Sequence, residues 1–544
     1  MPGPRRDTRW WGWGDPAHDA SLPEGAARML SELGVETAPG RGIPDLSEVV
    51  LPEAAALPDA VLDAAGRENV STSDEDRIRH SGGQSLADLI ERRSGKIAVA
   101  PDAVISVDSA GRLEPLLEAC SAHSVAVVPF GGGTSVVGGV SPERAGFSAV
   151  ISLDTADLRG AEVDAVSMTA RLGAGLRGPE AEAELSRSGF TLGHFPQSFE
   201  YATVGGFAAT RSAGQSSSGY GRFDSLVSAV KMVTPAGTLS TLQTPHTAIG
   251  PSLREVIVGS EGAFGVIPEL EVRIRPLPEA RRYEAWMVGD FEAGNEIVRG
   301  LAQSGRLPTI ARVSDADETS VSMGISGPSG AAGELFGRYL KLRGRNGGCL
   351  MIVGLEGSAT EVRRRRHDLS RALRSGGAIY LGRAAGESWA RSRFHGPYLR
   401  EALLDRGLVV DTLETAQQWS HHRDLYENVG AAIRAELAAL GTPGVVMCHL
   451  SHAYRDGASL YFTVIASPGA EGQLASWRRI KSAASDAIRS AGGTISHHHA
   501  TGRDHSRYLE GEIGGLGVEA LAAVKATLDP QGIMNPGCLL PAAG

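Results

Sequence analysis

The sequence lacks the patterns of a secreted, disulfide-bonded or membrane-spanning protein. Its four cysteines lie far apart and show no paired spacing, which argues against a disulfide framework and against a cysteine-based zinc site. No run approaches the roughly 20 apolar residues of a membrane span. The N-terminus shows no apolar stretch of signal-peptide length, and the C-terminus LLPAAG carries no peroxisomal address. We therefore expect a cytoplasmic protein.

Basic residues are fewer than acidic residues. The 53 Lys and Arg residues are outnumbered by 63 Asp and Glu residues, which gives a net charge of −10. This balance argues against a nucleic-acid partner bound by a generally basic surface. Hydrophobic residues make up 42% and charged residues only 21% of the 544 positions. Such a composition excludes a mostly disordered chain and is sufficient for several domains.

Aromatic residues are scarce, at 5%, whereas glycine is abundant, at 70 of 544 residues. The usual glycine share is roughly 7%, so the chain carries nearly twice that amount. No strict glycine repeat is present, which excludes a collagen-like fibre. The surplus therefore indicates tight turns and close approaches of the main chain.

The pattern along the chain predicts four segments. Residues 1–95 mix Trp-Gly turns with short helical stretches and are interpreted as an extension. Strands and helices alternate over 96–279, which is typical of an α/β unit. Long Arg/Ala/Leu helices dominate 280–489, and a final segment covers 490–544.

The most informative stretch is VAVVPFGGGTSVVGG, in which a buried strand runs into residues 131–139. Consecutive residues without a Cβ let backbone amides converge on an anion, and the Thr and Ser hydroxyls add donors. A pyrophosphate is the predicted occupant, and a tight turn at a sheet edge is the alternative. Two more loops rich in Gly, Ser and Thr follow at 193–226 and 259–270. Three such loops imply an extended polar ligand, and a dinucleotide such as FAD fits.

Residues 173–178, GAGLRG, match the GxGxxG dinucleotide fingerprint. A Rossmann unit would next require an apolar parallel strand that ends in an acidic residue. The glycine-rich sequence FTLGHFPQSFEYATVGG follows instead. We interpret this match as an ordinary strand-to-helix turn.

The motifs PFGGGTS, QSFEYATVGG, TRSAG and GSEGAFGVI resemble the flavin-binding signatures of the vanillyl-alcohol-oxidase / p-cresol-methylhydroxylase (PCMH) superfamily. Within it, RWWGWGDP, DRIRHSGGQSL, RFHGPYLRE, SLYF, SHHHATGRDHSRYL and LDPQGIMNPG resemble the alkylglycerone-phosphate synthase (alkyl-dihydroxyacetonephosphate synthase) family. The resemblance covers nearly the whole chain, in order.

This resemblance implies an α+β fold. A PCMH-type FAD-binding domain of two α/β subdomains would occupy 96–279, and a cap domain with an antiparallel sheet flanked by helices would occupy 280–489. The segment 490–544 would return to the FAD domain and the active site. Thr134 stands where covalently flavinylated relatives carry a histidine, so non-covalent FAD is expected. The predicted cofactor-binding residues are Pro129, Phe130, Gly131, Gly132, Gly133, Thr134, Ser135, Gln197, Ser198, Thr203, Gly205, Gly206, Thr210, Arg211, Ser212, Ala213, Glu261, Gly262, Gly265, Val266 and Ile267.

Histidines concentrate in roughly the last 150 residues, which hold nine of the fifteen. Composition alone leaves proton chemistry, a metal ion or a solvated loop open. In a strand, His497 and His499 would share a face and could bind zinc, but no third ligand stands at a diagnostic spacing, so no metal is predicted. The resemblance implies that His497, His498 and His499 border the active site and assist proton transfer.

Tyr461 lies in ASLYFTVIAS, a predicted strand whose alternation places it on the polar face. Such a tyrosine often only lines a site and makes a hydrogen bond. The resemblance implies that Tyr461 is the tyrosine that acts as the acid/base group. Arg400 is the last residue of RFHGPYLR. Most arginines in such a position are ordinary surface residues, whereas the resemblance implies that Arg400 binds the substrate phosphate. Arg393 and Arg503 are lesser candidates for the same anion.

The activity implied by the resemblance exchanges the acyl group of acyl-dihydroxyacetone phosphate for a fatty alcohol through a flavin N5 adduct. The alternative is an FAD-dependent dehydrogenase or oxidase of a 2-hydroxy acid or another small alcohol. A homodimer with peripheral membrane contact is also implied. Gln197 replaces the family's acidic residue, Gln84 stands where relatives often have histidine, and Ala500 replaces a glycine. These departures are compatible with FAD binding, and they leave both substrate classes open.

Overall fold

The computed structural model describes residues 5, 7–17, 21–35, 37, 42–327 and 330–541. The ends of the first and last predicted segments, 1–4 and 542–544, lie outside the described residues. The strands are β1 Val70–Ser71, β2 Ala103–Ser106, β3 Val125–Phe130, β4 Ala149–Asp154, β5 Ala161–Asp164, β6 Thr169–Gly173, β7 Phe190–Thr191, β8 Val227–Thr234, β9 Gly237–Ser240, β10 Glu269–Arg273, β11 Arg275–Pro276, β12 Ala280–Val288, β13 Ile310–Ser314, β14 Cys349–Gly357, β15 Ile379–Gly382, β16 Val409–Gln418, β17 Gly444–Ala453 and β18 Gly457–Ala466.

The α-helices are α1 Glu24–Glu32, α2 Asp59–Ala65, α3 Asp74–Arg79, α4 Leu86–Arg93, α5 Leu113–Ala122, α6 Gly178–Arg187, α7 Val204–Ala209, α8 Ser217–Tyr220, α9 Phe223–Leu226, α10 Leu253–Ile257, α11 Phe291–Gln303, α12 Ala316–Ser326, α13 Gly330–Leu342, α14 Ala359–Ser375, α15 Arg383–Ser392, α16 Gly396–Leu404, α17 His422–Leu440, α18 Gln473–Ser490, α19 Leu509–Ile513 and α20 Gly515–Leu528. Among these described helices, none has an apolar stretch long enough to cross a bilayer.

The first sheet has the order β1-β2-β4-β3, and its three longer strands run parallel. Every residue of β2 and β4 is buried, as expected for parallel strands covered on both faces. The helix α5 buries Leu113, Leu116, Leu117 and Cys120 on one side, as the sequence pattern predicts. Strand β1 comes from the segment 1–95, so part of the predicted extension is built into this sheet.

The second sheet has the order β5-β6-β10-β8-β9 and is antiparallel. Strand β6 ends at Gly173, and α6 begins at Gly178. The GxGxxG match therefore joins an antiparallel strand to a helix. This geometry confirms the strand-to-helix-turn interpretation, because a Rossmann unit requires parallel strands.

The cap domain contains a seven-stranded antiparallel sheet of order β15-β12-β14-β13-β17-β18-β16. Helices α11, α14, α17 and α18 pack on it and close the largest apolar core. The C-terminal segment returns to the first sheet, where Val127 pairs with Met534 and the Asn535 side chain donates to the carbonyls of Gly139 and Glu261. The catalytic candidates at 497–499 are thereby held beside the glycine-rich loops.

Candidate active site

The three glycine-rich loops converge on one another. A Cβ at Gly131 would overlap the hydroxyl of Thr203, and a Cβ at Gly132 would overlap the carbonyl oxygen of Tyr201. A Cβ at Gly262 would lie 2.9 Å from Cγ of Pro129. The loops predicted separately from the sequence therefore form one surface, and only residues without a side chain allow this approach.

The loop after β3 presents a row of free donors. The backbone amides of 131–135 donate no hydrogen bond to any described residue. Gly133 has a φ of 63°, a left-handed conformation that turns neighbouring amides toward a common point. Ser135 Oγ accepts from the amide of Gly139 at 2.9 Å and holds the far end of the loop. The residues present fit the pyrophosphate of a dinucleotide.

The predicted cofactor-binding residues fall in three segments of the chain: the end of β3 with its loop (Pro129, Phe130, Gly131, Gly132, Gly133, Thr134, Ser135), the segment around α7 (Gln197, Ser198, Thr203, Gly205, Gly206, Thr210, Arg211, Ser212, Ala213) and the turn before β10 (Glu261, Gly262, Gly265, Val266, Ile267). Val266 is buried and its main chain pairs with Val233, so it supports the turn from within the core. Some of their side chains have protein partners. Thr203 caps α7 by accepting from Gly206 at 3.3 Å, and Ser212 pairs with His194 at 3.0 Å. Arg211 donates to the carbonyl of Val258 at 2.9 Å.

Replacing Gly132 with alanine is expected to lower the FAD affinity by about tenfold or more, because overpacking against a backbone carbonyl costs about 1–3 kcal/mol. Gly111→Ala is the matched control, since a Cβ there meets nothing within 4 Å. The flavin-to-protein absorbance ratio of each purified variant measures the effect. Full flavin content in Gly132→Ala would contradict the tight contact with Tyr201.

Glu261 connects the cofactor loops to the histidine loop. Its buried carboxylate accepts from the amides of Thr501 at 2.8 Å and Gly502 at 2.7 Å. Burial raises the pKa of Glu261 to about 7. The Glu261 side chain therefore fixes the backbone just after His499. Glu261 itself is part of the turn at 259–265.

Glu414 fixes the backbone of the histidine loop, residues 497–499. Its buried carboxylate accepts from the backbone amides of His498 and His499, at 2.8 and 2.6 Å, and from that of His497. Ser496 Oγ donates to the same carboxylate at 2.8 Å. The segment is a loop, so the shared face that a strand would give His497 and His499 does not arise. Four donors on one carboxylate determine the loop instead.

Tyr461 lies at the centre of three neighbouring strands. The register pairs it with Glu414 on one side and with His449 on the other. Its ring stacks on His449 at a centroid distance of 4.8 Å and lies 6.2 Å from His498 and 5.7 Å from His499. Burial raises the pKa of Tyr461 to about 12, so the phenol is protonated at neutral pH.

The imidazoles around Tyr461 are uncharged at neutral pH. Burial lowers the pKa of His498 and of His499 to about 3. His449 Nδ1 lies 3.0 Å from Glu318 Oε1, and the same oxygen accepts from Arg312 at 2.8 Å. When a protonated phenol beside neutral imidazoles takes up a second proton, it can donate its own proton to one of the imidazoles.

His452 is a site residue that the sequence spacing did not reveal. Its ring stacks on His497, and imidazole nitrogens of His452, His497 and His498 all lie within 4.8 Å of one another. His452 Nδ1 bonds Ser217 Oγ at 2.7 Å, and His497 Nε2 bonds the hydroxyl of Tyr454 at 2.7 Å. A third imidazole is therefore present, and strand β17 of the cap sheet supplies it. The motif SHA at the end of β17 is the signal that could have indicated it.

Arg400 is not a surface residue. Its guanidinium donates to the backbone oxygen and to Oε1 of Gln84, each at 3.0 Å, and lies 3.3 Å from Glu401 Oε1. Arg503 donates to the carbonyls of Ser141 and Pro536 and pairs with Glu143. Arg503 therefore anchors the C-terminal segment to the loop after 138.

A cavity of about 270 Å³ borders the histidine loop. Thr210, Arg211, Glu261, His497 and His498 are among the residues that line it. Residues from the second and third glycine-rich loops and from the histidine loop thus line one partly open cavity.

Comparison with known proteins identifies the family. Residues 101–243 match the family model described as FAD binding domain, and residues 277–539 match FAD linked oxidases, C-terminal domain. The alkyldihydroxyacetonephosphate synthase of Trypanosoma brucei brucei is 31% identical over 98% of this chain and 92% of its own length. The chain belongs to the alkyldihydroxyacetonephosphate synthase family. The family resemblance inferred from the sequence motifs is therefore confirmed.

Solved structures agree with this family assignment. An alkyldihydroxyacetonephosphate synthase structure superposes with a TM-score of 0.83 at 27% identity over 98% of both chains. p-Cresol methylhydroxylase shares the fold, with a TM-score of 0.67 at 13% identity over 93% of this chain and 99% of that one. The predicted α+β fold, with a PCMH-type FAD-binding domain and an antiparallel cap sheet, is confirmed. This member of the synthase family is an FAD-dependent enzyme.

A buried histidine outside the histidine loop, His422, predicts acid sensitivity. Burial lowers the pKa of His422 from 6.5 to about 4, so the unfolded chain binds a proton between these values while the folded chain does not. His422 therefore does not lower the free energy of unfolding above pH 6.5. As the pH falls below this value, the free energy of unfolding decreases by up to about 1.4 kcal/mol per pH unit. Urea midpoints at pH 7.5 and 5.5 should differ less in His422→Gln. The exposed neighbour His421, changed in the same way, should leave the difference intact.

Proposed function

We propose that this enzyme exchanges the acyl group of acyl-dihydroxyacetone phosphate for a fatty alcohol and so forms an ether. The observation that carries the proposal is Tyr461, stacked on His449 and close to the neutral imidazoles of His498 and His499. The same cluster borders the surface that fits FAD. The similarity to the alkyldihydroxyacetonephosphate synthase of Trypanosoma brucei brucei supports the same reaction.

Each residue has a role in this proposal. Tyr461 accepts the proton that leaves C1 of the substrate, while a neighbouring imidazole takes the phenolic proton. Glu414 holds His498 and His499 within reach by binding their amides. Arg400 lies at the substrate phosphate and would give up its bonds to Gln84 for it. FAD, held without a covalent bond beside Thr134, supplies an electron sink for the exchange.

Product analysis tests the proposal. Purified enzyme with bound FAD is incubated with acyl-dihydroxyacetone phosphate and hexadecanol, and the ether product and released fatty acid are quantified by mass spectrometry. Equal amounts of ether and fatty acid are expected, without net reduction of the flavin. A 2-hydroxy acid that bleaches the flavin anaerobically and passes electrons to a dye, with no ether formed from the lipid substrates, would instead establish a dehydrogenase.

A further inference from the structure

His449 has a carboxylate bound directly to its ring. Nδ1 of His449 lies 3.0 Å from Oε1 of Glu318, and both side chains are largely buried. The corresponding distances are longer for His498 and His499, whose Nδ1 atoms lie 3.5 and 3.8 Å from oxygens of Glu414. These two distances are too long for hydrogen bonds. The contact with Glu318 therefore distinguishes His449 from the two imidazoles of the histidine loop.

Glu318 carries a negative charge in this contact. Burial alone would raise the pKa of its carboxyl group, but Arg312 and His449 hold this pKa well below its usual range. Arg312 Nη2 donates to the same Oε1 atom at 2.8 Å. The amide of Glu318 donates to Oδ1 of Asp315 at 2.8 Å, which fixes Glu318 in the first turn of α12. The carboxylate is thus charged and held in one position.

The charged carboxylate determines the tautomer of His449. An ionised carboxylate only accepts hydrogen bonds, so His449 donates to it from Nδ1, and Nε2 of the neutral ring is then an acceptor. This Nε2 atom makes no hydrogen bond with any described residue and is not fully enclosed by protein atoms. The ring is stacked on Tyr461, with 4.8 Å between the centroids. An uncharged base with a free lone pair therefore lies beside the phenol ring.

The charge of Glu318 also makes His449 a stronger base. A carboxylate next to an imidazole favours the protonated form of the ring. Burial and a neighbouring guanidinium lower the pKa of His449, whereas Glu318 raises it. Burial lowers the pKa of His498 and of His499 to about 3. Among these three rings beside the phenol, we expect His449 to take up a proton most readily.

We propose that Glu318 is a positioning residue that makes His449 the imidazole which accepts the phenolic proton of Tyr461. This inference rests on the proposed function, because it assigns one proton transfer of that reaction. The O–H bond of Tyr461 breaks and an Nε2–H bond of His449 forms, while the proton from C1 of the substrate restores the phenol. The electron pair of the C1–H bond stays on the substrate.

Glu318 acts on this step through His449 and not by touching the substrate. A proton passes between groups within hydrogen-bond reach or across one water. When His449 takes up the proton, the ring becomes an imidazolium, and its Nδ1–H bond to the carboxylate becomes a bond between opposite charges. The stabilisation by Glu318 is therefore largest after the proton has moved.

Turnover of the FAD-bound enzyme with acyl-dihydroxyacetone phosphate and hexadecanol tests the role of Glu318. Glu318→Gln keeps the shape of the side chain and an accepting oxygen but removes the charge. Its kcat should fall by roughly 10- to 100-fold, with KM and flavin content unchanged. Asp317→Asn is the matched control, because Asp317 is exposed on the same helix and pairs with Arg434. Equal kcat values in the two variants would overturn the inference.

The tautomer of His449 is measured without turnover and without a variant at position 318. ¹⁵N NMR of the histidine-labelled, FAD-bound enzyme at neutral pH should show the hydrogen on Nδ1 of His449, with the signal assigned by its loss in His449→Gln. A hydrogen on Nε2 would contradict the inference, even if Glu318→Gln does not fold. Melting temperatures show which variants are folded.

Failure of the proposed function gives a different result. If the unmodified enzyme forms no ether, the proposed function fails, but the NMR spectrum still determines the tautomer of His449. The kcat comparison between Glu318→Gln and Asp317→Asn is then made on flavin reduction by a 2-hydroxy acid. An unequal kcat there, with the hydrogen on Nδ1, would support the role of Glu318 in the other reaction.

Discussion

Tyr461→Phe is expected to lose turnover by roughly 10²–10⁴-fold, the usual contribution of a positioned acid/base group. The physical reason is that phenylalanine keeps the ring stacked on His449 but removes the hydroxyl that exchanges protons with its neighbours. FAD should stay bound, because the cofactor surface lies on other loops. Steady-state turnover with the preferred substrate, together with the flavin-to-protein ratio, measures both effects.

Tyr339→Phe is the control for this change. Tyr339 lies on α13, 37% exposed, and the structure gives it no contact with the catalytic cluster. It should keep full activity. A Tyr461→Phe enzyme as active as the unmodified protein would remove the phenol from the mechanism and leave the imidazoles as the acid/base groups.

Glu414→Ala is expected to disorder the histidine loop and to lower both stability and activity. Four donors lose their acceptor together, and a hydrogen bond to a charged group contributes about 1.5–3 kcal/mol. Because the same amides then meet water, we expect a net loss of about 3 kcal/mol or more in unfolding free energy. Urea denaturation and turnover measured on the same preparation test this expectation.

Glu414→Gln separates the two effects. The amide oxygen still accepts from part of the loop, so this variant should fall between the unmodified enzyme and Glu414→Ala in both measurements. Glu427→Ala, on the exposed face of α17, controls for loss of a negative charge. If Glu414→Ala were as stable and as active as Glu427→Ala, the role of Glu414 in holding the loop would be excluded.

Local features of the chain could be predicted from sequence because their causes are local. The glycines at 131–133 indicate a close approach of the main chain, and the apolar spacing of Leu113, Leu116 and Leu117 indicates a helix with one buried side. The GxGxxG match could be set aside because the residues after it are not those of a core strand. Tyr461 could be placed on the polar face of its strand by simple alternation.

Which residues meet across the site could not be predicted in the same way. Glu414, His449 and Tyr461 lie side by side because three strands pair in one register, and nothing in the local sequence specifies that register. His452 joins His497 only through the same sheet, and Arg400 meets Gln84 across 316 residues of chain. The sequence by itself thus determined the glycine-rich loops, the helices and the position of Tyr461 on the polar face of its strand. The tertiary structure alone decided their partners, because long-range contacts depend on how separate elements pack.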